Sequence, residues 1–262
     1  MDNNLLFTSD EKPLDNILSG GGLTAILRKI CVVGDSLSSG EFESRDENGN
    51  PGYHDMYEYS WGQYIARMCG SEVYNFSRGG MTAKVYLDTF ADSMGLWDTR
   101  KAPQAYIIAL GVNDMAHLDD LYGGEIGTAD DICLDDYTKN KKSFAGCYGA
   151  IVQRYKEIQP NAKFFFITVP KSYDETEPTA CKYDKHRELL ESLAKKFSNS
   201  YVIDLRKYEH IHDEEYKKNF YLYNHLNPAG YYMSAKTISS YIDYIIRHDM
   251  NAFKEIGFVS HN

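Results

Sequence analysis

The sequence has little of what would build a disulfide framework, a zinc ribbon or a membrane span. Its five cysteines are odd in number and widely spaced, and no Cys-x-x-Cys pair occurs, which argues against the first two. No run of about 20 apolar residues is present, so we expect no membrane-spanning segment. Basic residues are outnumbered, 28 against 38 acidic ones, and the net charge of -10 disfavours binding to nucleic acid or to an anionic membrane surface.

Targeting and cofactor signatures are also missing. The N-terminal residues have no basic start and no apolar core of signal-peptide length, so we expect a cytoplasmic protein. No P-loop occurs, and no Gly-x-Gly-x-x-Gly motif follows the first apolar run, so the sequence implies no nucleotide cofactor. What is present is 262 residues, 43% of them hydrophobic, which is enough for one large domain without covalent cross-links.

Five short apolar runs alternate with segments of helical periodicity. The runs span residues 29–33, 73–76, 105–110, 163–169 and 201–204, and they are continuous, as in strands buried on both faces of a parallel sheet. Segments around residues 144–158, 189–197 and 231–245 repeat apolar residues at helical spacing. The alternation predicts an α/β fold, with a five-stranded parallel sheet between two helical layers. We expect residues 1–28 to form a lead-in and residues 29–262 a single domain.

Polar side chains follow the predicted strands at the edge where such sheets carry their sites. Ser36 follows the first strand in Gly-Asp-Ser-Leu, Gly80 follows the second in Arg-Gly-Gly-Met, and Asn113 follows the third in Gly-Val-Asn-Asp. His225 lies a few residues before the last predicted helix. Taken singly, each has an ordinary interpretation, such as a helix N-cap, a strand-to-helix turn or an Asx turn.

Together, and in this order, the four motifs resemble the sequence blocks of the GDSL, or SGNH, hydrolase family. The resemblance runs from about residue 30 to about residue 246. It implies a flavodoxin-like three-layer α/β/α sandwich and a serine hydrolase that cleaves carboxylic esters without a cofactor. It also implies that Ser36 is the nucleophile and His225 the general base. The oxyanion hole would be formed by the backbone N–H groups of Ser36 and Gly80 and the side-chain amide of Asn113.

The usual third member of the catalytic triad is absent from its position. Most family members carry an acid three residues before the histidine, where this chain has Leu222. Three alternatives stay open: a backbone carbonyl, such as that of Leu222, orients His225 in a Ser–His dyad, a carboxylate from elsewhere does so, or the protein binds ligands without catalysis. The carboxylates considered are those of nearby loops: Asp174, Glu175, Glu177, Asp213 and Glu214. A neutral carbonyl still selects the correct tautomer, so we expect a working but slower enzyme.

The segment after the serine, residues 40–61, is long and rich in aromatic side chains. Tyr57, Tyr59 and Trp61 are candidates to line the substrate cleft, although aromatic residues in such a segment also pack against the next helix. Aromatic rings beside polar groups suit sugars better than long acyl chains. We therefore predict a short acyl ester, such as an acetyl group on a carbohydrate. A lipase or thioesterase with a longer acyl preference, and a non-catalytic acyl- or sugar-binding module, remain alternatives.

Residues 209–215 contain His210 and His212 among acidic residues and superficially resemble a metal site. Zinc would need several such side chains converging on one point. The charge of the segment predicts a solvated surface instead, so we predict no metal.

Overall fold

The structure is a computed structural model that describes residues 6–257. Nine strands are present in these residues: β1 (Lys29–Gly34), β2 (Glu41–Arg45), β3 (Pro51–Asp55), β4 (Glu72–Ser77), β5 (Ala105–Ala109), β6 (Lys163–Ile167), β7 (Ser200–Ile203), β8 (Tyr221–Leu222) and β9 (His225–Leu226). Five of them form one parallel sheet in the order β4-β1-β5-β6-β7. The other four form two antiparallel pairs, β2–β3 and β8–β9.

The central sheet confirms the predicted fold class. Counted along the chain, its five strands lie in the order 2-1-3-4-5, which is the flavodoxin-like doubly wound arrangement. All five apolar runs form strands, and their ends differ from the prediction by one or two residues. Leu110 and residues 168–169 lie just beyond β5 and β6, in the loops at the carboxyl edge of the sheet.

The helices complete the two outer layers. The α-helical segments of the described residues are α1 (Ser36–Ser39), α2 (Trp61–Cys69), α3 (Ala83–Val85), α4 (Ala91–Ser93), α5 (Val112–Ala116), α6 (Leu118–Tyr122), α7 (Phe144–Ile158), α8 (Glu177–Lys196), α9 (Leu205–Tyr208), α10 (Glu214–Phe220) and α11 (Pro228–His248). A π-helical turn, Tyr86–Phe90, joins α3 to α4. The three predicted helices correspond to α7, α8 and α11. Asn227 caps α11, and Pro228 occupies its first turn, where no backbone N–H is needed.

Each face of the sheet has its own apolar core. Val33, Phe76 and Phe166 point into one core with α7 and α8, while Val32 and Phe165 point into the other with α2 and α11. Because successive residues of a strand point to opposite faces, a continuous apolar run is what a sheet covered on both sides requires. None of the described helices is long and apolar enough to cross a membrane.

The residues before β1 pack on the domain. The Leu18 N–H donates to Ser240 Oγ (2.9 Å), and the Leu23 N–H donates to Asp243 Oδ1 (2.7 Å), both on α11. The division at residue 28 stays a prediction. The ends of the two predicted segments, residues 1–5 and 258–262, lie outside the described residues.

A β-hairpin, β2–β3, is not part of the central sheet. It occupies much of residues 40–61, the long segment after the serine. Its register pairs Glu41 with Asp55 and Glu43 with Tyr53. The Tyr231 hydroxyl on α11 donates to the Glu41 carbonyl (2.6 Å), and the ring of Phe42 packs on that of Tyr231. Since alternate residues of a strand share a face, Glu41 and Glu43 both lie on the side opposite Phe42.

Candidate active site

Ser36 is held at the top of the sheet by a tight strand-to-helix turn. It is the first residue of α1, directly after β1, and Asp35 caps this helix by accepting from the Leu37 N–H (3.1 Å). A side chain on Gly34 would overlap Ser38, so only glycine fits at the end of the strand. Asp35 is fully buried, and burial raises its pKa to about 7, with the Leu37 N–H opposing the shift. The turn therefore presents the serine to the cleft while it keeps the neighbouring carboxyl out of water.

Gly80 and Asn113 follow the two strands that flank β1 in the sheet, β4 and β5. Gly80 has φ +68°, and a Cβ at this position would meet open space. Glycine is therefore needed here for its backbone conformation, in addition to any close approach of a ligand. Asn113 lies in the first turn of α5 and donates from Nδ2 to the Met81 carbonyl (3.1 Å). This contact ties the asparagine side chain to the glycine loop.

Buried Asp114 ties the same two loops together. Its Oδ1 accepts from the Ala83 N–H (2.8 Å) and from the Tyr122 hydroxyl (2.6 Å). Burial raises the pKa of Asp114 to about 6, although these two donors favour the ionised form. Asp114, on α5, is thus hydrogen-bonded to the segment that follows the glycine loop, which holds that loop and α5 together.

The four residues singled out by the sequence motifs come together in one open cleft. Its walls are formed by Ser36, Glu41, Tyr53, Asp55, Arg78, Gly79, Gly80, Asn113 and His225. These residues come from the carboxyl ends of β1, β4 and β5, from the β2–β3 hairpin and from the segment before α11. The cleft lies where the strand order of the sheet reverses, as expected for this fold.

Glu43 holds the histidine. Its Oε2 lies 3.2 Å from His225 Nδ1 and also accepts from the Asn224 N–H (3.0 Å), while Oε1 pairs with Arg45. The Glu43 side chain has no exposed surface. Burial acts to raise its pKa, but these donors outweigh burial and hold the pKa below its usual value. An ionised, buried carboxylate therefore faces the Nδ1 atom of the histidine.

This acceptor is a carboxylate from elsewhere in the chain, as the second of the three alternatives expected, but it is none of the five loop carboxylates considered. Leu222 pairs with His225 in the short β8–β9 ladder, but the Nδ1 contact goes to Glu43, so the Leu222 carbonyl was the wrong expectation. The loop carboxylates have other roles or positions: Asp174 pairs with Lys217, Glu175 with Arg206, Asp213 caps α10, and Glu177 and Glu214 begin α8 and α10. The signal was Glu-Phe-Glu after the nucleophile, which places two acids on one face if that segment is a strand.

A second carboxylate contacts the other ring nitrogen. Glu41 Oε1 lies 3.1 Å from His225 Nε2, the atom that would have to face the Ser36 hydroxyl for proton transfer. The Glu41 side chain is 13% exposed, and burial raises its pKa, with nearby Asp55 and Glu43 adding to the rise and His225 opposing it. The histidine is thus held between two acids of one strand.

The three aromatic residues proposed from the sequence lie away from this cleft. The Tyr57 hydroxyl donates to the Val73 carbonyl (2.9 Å), Tyr59 packs edge-on against Phe42, and Trp61 is buried. The aromatic residue in the cleft is Tyr53, whose ring lies 5.7 Å from that of His225 in an edge-to-face arrangement. Tyr53 was in the same segment, but only the hairpin register places it beside the histidine.

An apolar cavity of about 90 Å³ lies next to the cleft. Leu37, Val112 and Leu226 line it, and each is the chain neighbour of a cleft residue: Ser36, Asn113 and His225. Trp61 contributes to the cavity rather than to the cleft. Three short backbone segments therefore separate the polar cleft from this apolar space.

The two histidines once considered as a metal site have different environments. The His210 side chain is 72% exposed, whereas His212 is buried, with Nδ1 3.0 Å from the Tyr221 hydroxyl. The expectation of a solvated face is correct for His210 and wrong for His212, because the ring of Tyr216 stacks on it. Within residues 6–257, no group of three or more His, Cys, Asp or Glu side chains is arranged to hold a metal ion.

The chain matches one protein family and resembles several solved structures. The model of the GDSL-like lipase/acylhydrolase family matches residues 32–233. No curated protein matches the chain. Among solved structures, a family two carbohydrate esterase from Clostridium thermocellum, in complex with cellohexaose, superposes with a TM-score of 0.57 at 16% identity, over 94% of this chain and 67% of that one.

Two further structures are similar over nearly their whole length. A family 3 carbohydrate esterase from Clostridium thermocellum has a TM-score of 0.52 at 16% identity, covering 84% of this chain and 97% of that one. The acetyl xylan esterase AlAXEase has a TM-score of 0.50 at 21% identity, covering 81% and 98%. At these identities the likeness supports the fold.

Proposed function

The chain belongs to the GDSL-like lipase/acylhydrolase family and is a carboxylic ester hydrolase, and we propose that it removes short acyl groups from hydroxylated alcohols. The observation that carries the proposal is the convergence of Ser36, Gly80, Asn113 and His225 in one cleft. We further propose that Glu43 completes a Ser–His–Glu triad. Its buried carboxylate on Nδ1 keeps the ring proton on that atom and leaves Nε2 as the base, which supports catalysis over a binding-only role.

In the proposed reaction, Ser36 Oγ attacks the ester carbonyl while His225 Nε2 accepts the hydroxyl proton. The Glu43 carboxylate stabilises the imidazolium that forms and keeps the remaining proton on Nδ1. The oxyanion accepts hydrogen bonds from the backbone N–H groups of Ser36 and Gly80 and from Asn113 Nδ2. His225 then protonates the leaving alcohol. In the second half of the reaction, His225 accepts a proton from the water that attacks the acyl-enzyme and returns it to Ser36 Oγ as the acid leaves.

The space around the serine supports a small acyl group. None of the residues that line the cleft is aliphatic, so a long acyl chain would find no apolar partner there. This favours a short-chain esterase over a lipase or a long-chain thioesterase.

The open side of the cleft supports a hydroxylated alcohol. Asp55, Arg78 and Tyr53 offer acceptors, donors and a ring edge to a polar leaving group. Two of the similar structures are named as carbohydrate esterases and one as an acetyl xylan esterase. An acetylated sugar is therefore the substrate class that we propose.

The test is hydrolysis of p-nitrophenyl acetate by the wild type beside Ser36→Ala and His225→Ala. We expect both variants to lose at least about 10³-fold in kcat/KM, and a fluorophosphonate probe to label the wild type and not Ser36→Ala. Equal rates for all three proteins, together with no labelling, would favour the binding module. A series from acetate to octanoate tests acyl length, and faster turnover of octanoate would overturn the short-acyl proposal.

A further inference from the structure

The two carboxylates on His225 cannot both accept a hydrogen bond from a neutral imidazole. A neutral imidazole carries one N–H, and donating it from Nδ1 to Glu43 leaves a lone pair on Nε2. An ionised Glu41 also offers only lone pairs, so a contact of 3.1 Å would then be repulsive. The contact is favourable only when one proton lies between Nε2 and Oε1.

The surroundings of Glu41 favour keeping that proton. Burial raises the pKa of Glu41, Asp55 and Glu43 add negative charge beside it, and His225 is the group whose charge opposes the rise. Arg78 lines the same cleft. A carboxyl in such a place donates to Nε2 when it is protonated, or pairs with an imidazolium when the proton moves to the ring.

Glu41 also fills a defined position beside the glycine loop. The three atoms nearest to a Cβ built on Gly79 all belong to the Glu41 carboxyl group. The carboxyl therefore spans the cleft from the histidine to the loop that holds Gly80. Gly79 has no positive φ, so its backbone accepts a side chain, and the nearest obstacle is the Glu41 carboxyl at the end of a flexible side chain.

We propose that Glu41 is a positioning residue that acts as a latch on the general base. In the resting protein it holds His225 Nε2 through a shared proton, which keeps the ring from accepting a proton from Ser36. Opening the latch releases this proton to water and leaves a neutral imidazole, with its lone pair on Nε2, beside an ionised Glu41. The latch is therefore closed at low pH and open at high pH. This inference rests on the proposed roles of Ser36 and His225.

Two variants remove the latch by different routes. Glu41→Ala deletes the carboxyl, and Gly79→Ala keeps it but expels it from the contact. An opposite charge within hydrogen-bond distance shifts the pKa of its partner by about 1–3 units. We expect the acid limb of the kcat/KM profile to move about 1–2 units lower in both variants, so that at the lower pH they exceed the wild type by about 10-fold or more. Since both act on one contact, the double variant should show no further shift.

The experiment measures kcat/KM for p-nitrophenyl acetate from pH 4.5 to 9 for the wild type, both single variants and the double variant. Glu47→Gln, an exposed acid in the turn of the same hairpin, is the matched control and should follow the wild-type profile. A shift in Glu41→Ala with none in Gly79→Ala would mean that Glu41 acts only as a distant charge, which overturns the latch. No shift in either variant would overturn it as well.

Nitrogen-15 NMR of the His225 ring separates this inference from the proposed function. We expect the wild type to show Nε2 sharing a proton at neutral pH, and Glu41→Ala to show an unprotonated Nε2 under the same conditions. An unprotonated Nε2 in both proteins rules the latch out. This readout needs no turnover, so a wild type that fails to hydrolyse the ester would refute the proposed function while the NMR result still judges the latch.

Discussion

Replacing Glu43 tests the candidate triad most directly, because alanine and glutamine remove different parts of its contact with His225. Two donors, the Asn224 N–H and His225 Nδ1, converge on Oε2. A glutamine would place its carbonyl oxygen there, so Glu43→Gln keeps the tautomer and loses the charge. Glu43→Ala loses both and leaves the Asn224 N–H without its acceptor.

The size of each effect follows from this difference. Two unit charges about 4 Å apart attract by about 4 kcal/mol at an effective dielectric constant of about 20. Losing most of this attraction in the transition state corresponds to about 10²-fold in kcat/KM for Glu43→Gln. Losing the tautomer as well brings Glu43→Ala to about 10⁴-fold, the loss seen when a triad acid no longer selects the productive ring form.

The assay is steady-state hydrolysis of p-nitrophenyl acetate at pH 7.5, with circular dichroism to confirm that each variant is folded. Glu47→Gln again serves as the control, since it removes an exposed acid from the same hairpin. The expected order is wild type and Glu47→Gln, then Glu43→Gln, then Glu43→Ala. Rates within about 3-fold of the wild type for both Glu43 variants would refute the triad and return the role to a backbone carbonyl.

Three other outcomes follow from the site. Asn113→Ala should lower kcat by about 10²–10³-fold, measured with the same ester, because one oxyanion donor is lost. Asp35→Asn removes a buried carboxyl whose pKa burial raises to about 7. Because the native state favours the protonated form, this group does not lower the stability of the wild type below about pH 4. It lowers that stability progressively as the pH rises from about 4 to about 7. Urea denaturation should show that the variant gains up to about 4 kcal/mol on the wild type across this window, and parallel pH curves would contradict the assignment. Ser234→Leu places a larger side chain in the apolar cavity, which backbone segments separate from the cleft, so acetate and butyrate turnover should both stay within about 3-fold of the wild type, whereas a loss confined to butyrate would place the acyl group in that cavity.

The sheet and the main helices were readable from the sequence because burial on both sides leaves a plain signal. Continuous runs such as residues 163–169 form strands covered by two cores, and the helical repeat of residues 144–158 is α7 almost to the residue. The motif residues came together because the loops at one edge of a parallel sheet are neighbours whatever their separation in the chain.

Glu43 could not be found in the same way. It lies 182 residues from His225 in the sequence, and the contact depends on the docking of a hairpin that is not part of the sheet. The five candidate carboxylates lie between residues 174 and 214, whereas Glu43 lies just after the nucleophile. The prediction that Trp61 lines the cleft was wrong for a related reason, because Trp61 begins α2 and the first turn of that helix faces the core.

The position of the hairpin has a consequence for how the protein loses activity under stress. A two-stranded hairpin is only marginally stable by itself, and β2–β3 has no strand pairing with the central sheet, so contacts such as those of the Tyr231 hydroxyl and the Asn224 N–H hold it to the domain. Segments of this kind open locally at a smaller free-energy cost than the core. Mild heat or denaturant should therefore separate Glu43 from His225 while the central sheet is still folded, so activity should be lost before the domain unfolds.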